Sequence, residues 1–92
     1  MIKSFKHSGL ELFFSTGKKS GIQPEQARKI RNRLSFLHAA VELSDMDKPG
    51  FKLHELKGDK KGLHSIVISG NWRIVFKFED GHAYIVNYQD YH

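Results

Sequence analysis

Residues 64–88 read HSIVISGNWRIVFKFEDGHAYIVNY, and this stretch decides the fold. Apolar residues alternate with polar ones along much of it, which is the period of a β-strand with one buried face. Two dipeptides interrupt the pattern, Gly70-Asn71 and Asp80-Gly81, and the second is a strong signal for a two-residue hairpin. The stretch therefore predicts strands at 64–69, 72–78 and 83–88, joined by short turns as antiparallel neighbours.

Two further segments flank these strands. Residues 51–56, FKLHEL, are predicted to form another strand, and the charged segment 57–62 that follows is predicted to be a loop. Residues 2–5 are a candidate edge strand. The sheet is thus expected to contain four to five strands.

The first half of the chain has a helical period instead. Apolar residues cluster between Leu10 and Phe14, and Gly17 is expected to end this short helix. A longer helix is predicted to start near Pro24 and to stop before Pro49, which cannot continue it. Its buried face is expected to consist of Ala27, Ile30, Leu34, Leu37 and Val41. Its solvated face is expected to carry Arg28, Lys29, Arg31, Asn32 and Arg33.

These elements predict an α+β fold in which two helices pack on one face of a twisted antiparallel sheet. The 92 residues fit one domain, 1–92. Because both helices cover the same side, the other side of the sheet is expected to face water. Alternation along the strand 72–78 then places Asn71, Arg73 and Lys77 on that uncovered side.

Composition limits the classes of function. The chain has no cysteine, which excludes disulfides, zinc thiolate sites and cysteine nucleophiles. It shows neither a signal peptide nor a run of about 18 apolar residues, so a soluble, cytoplasmic protein without membrane contact is expected.

The charge of the chain is positive and unevenly distributed. Lys and Arg number 15 against ten Asp and Glu, giving +5 and a pI near 9.6. Charge alone fits either a polyanionic partner such as nucleic acid or a surface that is merely solvated. The basic residues cluster, however, at Lys52, Lys57, Lys60, Lys61 and Arg73.

Several catalytic templates are absent. The loop 57–62 is basic and contains glycine but lacks the spacing of a phosphate-binding loop. The six histidines include no HExxH motif, and no GxSxG motif is present. Of the histidines, His38 is expected to be structural, and His64, in the middle of a strand, is expected to point to solvent or to pack and not to be catalytic.

RNA cleavage in which the substrate's own 2′-hydroxyl is the nucleophile requires fewer protein groups than these templates. It needs a base, an acid and cations that stabilise a five-coordinate phosphorus, and it needs no metal or other cofactor. Histidine suits proton transfer at neutral pH. Candidates are His54, Lys57 and Arg73, on or beside central strands, and the terminal Asp90, Tyr91 and His92. The residues alone leave open whether this terminus is catalytic or only closes the core.

The chain resembles the HigB type of RelE-like toxins, also called plasmid-maintenance killer proteins. The resemblance rests on KLHELKGD at 52–59, HSI at 64–66, NWRIVF at 71–76, the final DYH and the opening MIKSF. It spans essentially the whole chain. It implies the RelE-like microbial RNase fold and a toxin that cleaves mRNA in the ribosomal 30S A site. It also implies a HigA-like helix-turn-helix antitoxin, through which operator DNA would be contacted indirectly.

The resemblance also implies roles for individual residues. His54 and His92 become the proton-transfer pair, and Arg73, assisted by Lys57, stabilises charge at phosphorus. Asp90 would orient a histidine and Tyr91 would position the substrate. Expected substrate-binding residues are Lys52, Lys60, Lys61 and Asn71, with Asn71 helping to read a base.

Many relatives carry Arg in the loop after Gly-Asp, where this chain has Lys60-Lys61. The charge is kept, but the planar fork for bidentate phosphate contact is lost, so a phosphate clamp at this loop does not carry over. A noncatalytic basic module that binds RNA or the ribosome is the alternative function for the same fold.

Overall fold

The computed structural model describes residues 1–91, and His92 lies outside the described residues. The helices are α1 (Ser8–Thr16) and α2 (Ala27–Ala39). The strands are β1 (His54–Glu55), β2 (Leu63–Ser69), β3 (Trp72–Glu79) and β4 (His82–Asp90). They form one sheet in the order β1-β2-β3-β4, and each pair of neighbours is antiparallel. The predicted α+β architecture is confirmed.

Helix α1 is closed at both ends by local contacts. The imidazole Nδ1 of His7 accepts a hydrogen bond from the backbone N–H of Leu10 at 3.0 Å. At the other end Gly17 adopts φ +83° and donates its N–H to the carbonyl of Phe13, as a left-handed cap does. Leu10 and Phe13 are buried, so this short helix is held by its packing as well as by its caps.

Helix α2 follows the predicted pattern up to its last turn. A 3₁₀ turn at Pro24–Gln26 leads into it, and it buries Ala27, Ile30, Leu34 and Leu37. The prediction for Val41 was wrong, since the helix ends at Ala39 and Val41 is 72% exposed. The carboxylate of Asp45 accepts the backbone N–H groups of Val41 and Glu42, which stabilises a separate turn at Leu43–Met46. These hydrogen bonds lower the pKa of Asp45.

Arg33 does not lie on the solvated face of α2, where it was predicted. Its Nε donates to the carbonyl of Val67 at 3.0 Å, and its guanidinium lies 4.5 Å from the centre of the Phe51 ring. Burial lowers its pKa. The physical reason is that β1 pairs only with the first part of β2, so the carbonyl of Val67 is left for a side chain to satisfy.

The predicted strand 51–56 is shortened to the two residues of β1. Phe51 lies in a turn and Lys52 has φ +51°, so the chain cannot continue as a strand there. The carbonyl of Phe51 nevertheless accepts the N–H of Val67 at 2.7 Å. Residues 52–55 are thereby held beside β2 at the outer edge of the sheet.

The opposite edge is formed by the N-terminal segment. Ile2 pairs with Ala83 and Phe5 with Val86 as isolated parallel bridges, so the predicted edge strand is present only in this reduced form. The N–H of Ile2 donates to Nδ1 of His38 at 3.1 Å, so His38 has the structural role that was predicted for it.

The core lies between the helices and one face of the sheet. Ile66, Ile68, Ile74 and Phe76 point into it and are almost fully buried. His64 packs there as well, with its ring 6.4 Å from that of Phe76. No helix among residues 1–91 is long and apolar enough to cross a membrane.

Paired residues of neighbouring strands point to the same side of a sheet, so the strand register defines the face that the helices leave free. We call it the helix-free face; it consists of His54, Ser65, Val67, Arg73, Val75, Lys77, Asn87 and Gln89. The prediction that this face is open to water was wrong at its centre. Ser65 is 0% and Val75 4% exposed, and Lys60 of the loop after β1 lines the same pocket as Val75.

One end of the core contains a polar network around Tyr88. The Tyr88 hydroxyl donates to Oε1 of Gln26 and accepts the backbone N–H of Gln23 at 3.2 Å. Gln26 in turn donates to Oγ of Ser69 at 3.0 Å. Both Tyr88 and Gln26 are buried, and burial raises the pKa of Tyr88.

We expect Tyr88→Phe to lower the free energy of unfolding by about 1–3 kcal/mol, because it leaves Oε1 of Gln26 buried without a donor. The raised pKa also determines the direction in which the free energy of unfolding changes with pH. The folded state favours the neutral hydroxyl, so this contribution to stability is present below the ordinary pKa of 10.0 and is lost as the pH rises above it. Urea unfolding at about pH 7 and at about pH 11 tests both effects. An unchanged unfolding midpoint at neutral pH, or an equal alkaline loss in the variant, would contradict them.

Candidate active site

A first hollow beside the helix-free face brings together an imidazole and two cations. It has a volume of about 380 Å³ and is lined by Lys52, Leu53, His54 and Arg73. His54 and Arg73 come from opposite sides of β2, where His54 pairs with Ser65 and Arg73 with Val67. His54 is exposed and Arg73 is half-buried, so the imidazole is open to a substrate while the guanidinium is partly desolvated.

A second hollow adjoins the first through His54. It measures about 410 Å³ and also contains Glu55, Lys57 and Lys61. Lys57 precedes a 3₁₀ turn at Gly58–Lys60, and φ at Gly58 is +73°, a conformation that glycine adopts without strain. This turn orders the basic loop that the sequence left without structure.

A third hollow of about 410 Å³ lies at the end of β4 and is lined by Lys60, Gln89, Asp90 and Tyr91. Nζ of Lys60 donates to the Tyr91 hydroxyl at 3.3 Å and lies 5.2 Å from the centre of the ring. The backbone N–H of Tyr91 donates to the carbonyl of Asn71 at 2.8 Å. Chain ends usually fray unless they are held. Here these two contacts hold Tyr91 against the basic loop.

The strand register connects these hollows. Arg73, in the first hollow, pairs across β3 and β4 with Gln89, in the third. His54 is common to the first and second. The predicted residues Lys52, Lys57, Lys60, Lys61, Asp90 and Tyr91 therefore all lie around this end of the sheet, together with His54 and Arg73.

The two remaining predicted site residues are Asn71 and His92. Asn71 is exposed in the turn between β2 and β3, and the structure gives it a backbone contact with Tyr91. His92, predicted as half of the proton-transfer pair, lies outside the described residues.

The hollows are lined by more cationic than anionic side chains: Lys52, Lys57, Lys60, Lys61 and Arg73 against Glu55 and Asp90. Within residues 1–91, Lys57, Lys61 and Arg73 form no ion pair, whereas Lys77, further along β3, lies 3.4 Å from Glu79. Unpaired cations around shallow hollows attract a polyanion and can stabilise negative charge developing at phosphorus. Among the same residues, no group of three His, Asp or Glu side chains is placed to hold a metal ion.

Sequence reasoning missed one residue that lines the site. Gln89 pairs with Arg73 and faces the third hollow, and Oε1 of its amide is buried without a hydrogen-bond partner among residues 1–91. The alternation that placed Arg73 on the free face could have placed Gln89 there once the register of β4 was known. That register depends on a bulge in β4, which no motif in the sequence marks.

The fold and this basic site define a class of protein when they are compared with known families. A family model described as "RelE-like toxin of type II toxin-antitoxin system HigB" matches residues 3–92. The same fold occurs in a solved structure, the YoeB-YefM complex from Staphylococcus aureus. The TM-score is 0.64 at 19% identity, over 100% of this chain and 95% of the other.

Two curated relatives make the assignment more specific. The chain is 48% identical to "Endoribonuclease HigB" of Proteus vulgaris over 92 residues, which is 100% of both chains. It is 32% identical to "Toxin HigB-1" of Vibrio cholerae over 85 residues, 90% of each. The chain belongs to the HigB-like family of RelE-like type II toxins. The family resemblance predicted from the sequence is confirmed.

Proposed function

We propose that this chain is an endoribonuclease toxin that cleaves mRNA in the ribosomal A site and thereby stops translation. The observation that carries the proposal is the shared hollow of His54 and Arg73, with Lys57 next to it and Tyr91 held nearby. An imidazole and a guanidinium around one hollow are groups that RNA transesterification can use. The 48% identity to a protein named as an endoribonuclease supports the same activity.

The proposed reaction uses the substrate's own nucleophile. One histidine of the pair His54 and His92 removes the proton of the 2′-hydroxyl, and the 2′-oxygen attacks the adjacent phosphorus. The bond from phosphorus to the 5′-oxygen breaks, and the other histidine supplies a proton to that leaving oxygen. The products are a 2′,3′-cyclic phosphate and a 5′-hydroxyl, so no external oxidant, reductant or cofactor enters the balance.

In this mechanism the cations of the site stabilise negative charge and do not transfer protons. Arg73 is half-buried, so its interaction with the five-coordinate phosphorus is less screened than that of an exposed lysine. Lys57 assists from the adjoining hollow. Asp90 orients a histidine, and Tyr91 positions the substrate, since an aromatic ring beside a basic groove can stack on an RNA base.

The remaining basic residues hold the RNA. Lys52, Lys60 and Lys61 line the hollows around the reaction centre and contact the phosphates on either side of it. Asn71, exposed in its turn, helps to read a base.

The proposal includes partners. Type II toxins are paired with a protein antitoxin, and the structural neighbour from Staphylococcus aureus was solved as a complex. We propose a HigA-like helix-turn-helix antitoxin that also supplies the contact with operator DNA, and a cytoplasmic location beside the ribosome. Because no helix-turn-helix is found among residues 1–91, this chain alone should bind its promoter only weakly and in a salt-sensitive manner.

Cleavage of a defined mRNA by purified protein, with and without bacterial ribosomes, tests the proposal. We expect cleavage only with ribosomes, at a codon in the A site. A ribosome whose A site is already filled by tRNA is the matched control and should protect that codon.

Equal cleavage of free mRNA would contradict the ribosome dependence. Arrest of translation with every message intact would favour the noncatalytic RNA- or ribosome-binding module instead.

A further inference from the structure

The N-terminal segment lies along the outer edge of β4 and covers it. We call residues 1–7 the N-terminal strap. The N–H of Ala83 donates to the carbonyl of Met1 at 3.0 Å, and the N–H of Val86 donates to the carbonyl of Ser4 at 3.1 Å. Without the strap, these groups of β4 would form an open sheet edge of the kind that pairs with other chains. The strap therefore completes the sheet on this side.

The contact between the strap and β4 is adapted to a bulge. The pairing of β4 with β3 shifts between Tyr84 and Asn87, and Ile85 in this bulge has φ +47°, which is unusual for a β-branched residue. The N–H of Ile85 donates to Oγ of Ser4 at 2.8 Å. The strap thus supplies a side-chain acceptor at the point where β4 is irregular.

An imidazole nitrogen accepts a backbone N–H at each end of the strap. Near its start, Nδ1 of His38, on α2, accepts the N–H of Ile2 at 3.1 Å. At its end, Nδ1 of His7 accepts the N–H of Leu10 at 3.0 Å and caps α1. A ring nitrogen accepts a hydrogen bond only while it carries no proton, so both contacts require a neutral imidazole with its proton on Nε2.

The charges around His7 do not favour its protonation. The residue lies at the N-terminus of α1, where the helix dipole is positive, and Lys6 precedes it in the strap. Its ring neighbour is the neutral phenol of Tyr88, with ring centroids 5.4 Å apart. Glu11, one turn into α1, is exposed, and within residues 1–91 His7 forms no ion pair with it or with another carboxylate. A protonated His7 would therefore lose its hydrogen bond without gaining an ion pair.

The surroundings of His38 have the same character. Its ring packs against that of Phe14, with centroids 5.4 Å apart, and within residues 1–91 it forms no ion pair. The charged group next to its partner Ile2 is the amino group of Met1, which donates to the carbonyl of Gly81 at 3.3 Å. A second cation at this end would be repelled by that amino group. Because Ile2 is buried, the loss of an acceptor for its N–H is costly.

We propose that the N-terminal strap is a pH-sensitive closure of the sheet edge, which neutral His7 and His38 hold in place and which their protonation releases. Protonation turns each acceptor into a donor that faces another N–H, and histidines take up this proton near about pH 6.5. The stability that the strap contributes is therefore present above about pH 6.5 and is lost as the pH falls below it. Release exposes the N–H groups of Ala83 and Val86 while the central strands stay paired.

Amide hydrogen exchange of the full chain tests the release directly. Protection factors are measured by NMR at about pH 7.5 and about pH 5.0, on either side of the titration of histidine. Those of Ala83 and Val86 should fall at least about tenfold more than that of Ile74, in the central strand β3. An equal fall at all three amides would show a global loss of stability, and no fall at Ala83 and Val86 would show a strap that does not respond to pH. Either result would overturn the proposal.

His7→Asn separates the first imidazole from the general effects of acid. Asparagine caps helices well and does not titrate, so this variant keeps its cap at both pH values. Between about pH 7.5 and about pH 5.0, its melting temperature should fall by about 4–8 °C less than that of the parent. His54→Asn removes an exposed imidazole away from the strap and is the matched control, so its melting temperature should fall as much as that of the parent. Equal losses in the parent and in His7→Asn would count against the inference.

His38→Phe should reproduce part of the released state at neutral pH. The aromatic ring beside Phe14 is kept, but the N–H of Ile2 loses its acceptor at every pH. The protection factor of Ala83 should therefore be lower than in the parent by about tenfold at about pH 7.5, and it should fall less on acidification. Full protection of Ala83 in this variant at neutral pH would show that the imidazole does not hold the strap, and the proposal would fail.

Discussion

Replacing Arg73 by alanine is expected to lower kcat/KM for ribosome-bound mRNA by roughly 10²–10³-fold. The guanidinium is half-buried in the hollow that it shares with His54, and within residues 1–91 it forms no ion pair. The charge on the phosphoryl oxygens increases in the transition state, so removing this cation should act mainly on kcat. Single-turnover cleavage at saturating protein concentration measures that effect.

Two further variants distinguish transition-state stabilisation by Arg73 from a general attraction for RNA. Arg73→Lys keeps the charge but loses the planar fork, so it should recover only part of the rate. Lys77→Ala removes a cation from the same strand and the same face, but at a position paired with Glu79 and away from the hollows. It should cleave at nearly the parental rate. Equal losses in Lys77→Ala and Arg73→Ala would mean that Arg73 contributes only general attraction for RNA.

Replacing His54 by alanine is expected to lower the same rate by about 10²–10⁴-fold, the range associated with loss of a general acid or base. His54 is exposed at the junction of two hollows, on the two-residue strand β1. Its removal leaves the core intact, so the melting temperature should change little. Cleavage rates and thermal unfolding measured on the same preparation separate catalysis from folding.

Rescue by a small molecule distinguishes proton transfer from a structural role for His54. Added imidazole should restore part of the activity of His54→Ala, because the vacated space opens to solvent. It should not improve Arg73→Ala. His92→Ala should abolish growth arrest while the protein remains folded, since His92 is the proposed second member of the pair. A His54→Ala variant that cleaves as fast as the parent would remove histidine from the mechanism.

Most of the sheet could be predicted because its signals are local. The dipeptides Gly70-Asn71 and Asp80-Gly81 lie at the two hairpin turns, and alternation in β3 correctly separated Arg73 from Ile74. Gly17 ends α1 as expected, because glycine adopts a positive φ without strain. Features of this kind depend on a few neighbouring residues and can be predicted without knowledge of tertiary contacts.

The errors at Arg33 and Ser65 involve contacts between distant parts of the chain, whereas the error at Val41 has a local cause. Val41 fits the helical period, but the carboxylate of Asp45 ends the helix before it. In the sequence Arg33 resembles any exposed basic residue, and its partial burial depends on its contacts with the carbonyl of Val67 and the ring of Phe51. Likewise, the burial of Ser65 depends on what lies over the sheet, which alternation does not encode.

The candidate site likewise contains residues that could be predicted from the sequence and one that could not. Residue chemistry and the family resemblance identified the basic and histidine side chains, and the structure places His54 and Arg73 in one hollow. Gln89 was missed because an isolated glutamine carries no chemical signal in a sequence. Its place in the third hollow depends on the register of β4, which a bulge between Tyr84 and Asn87 sets, and that register is not encoded in a local motif.

In the proposed mechanism the 2′-hydroxyl of the mRNA is the nucleophile, within a cluster of imidazole and guanidinium groups. The most direct measurement uses a message with a single 2′-deoxynucleotide immediately 5′ of the scissile phosphate, placed in the A site and compared with the all-ribose message. Cleavage at that phosphate should disappear, while the all-ribose message should yield a 2′,3′-cyclic phosphate and a 5′-hydroxyl. Cleavage of the deoxy-substituted message at the same position and rate would contradict this mechanism.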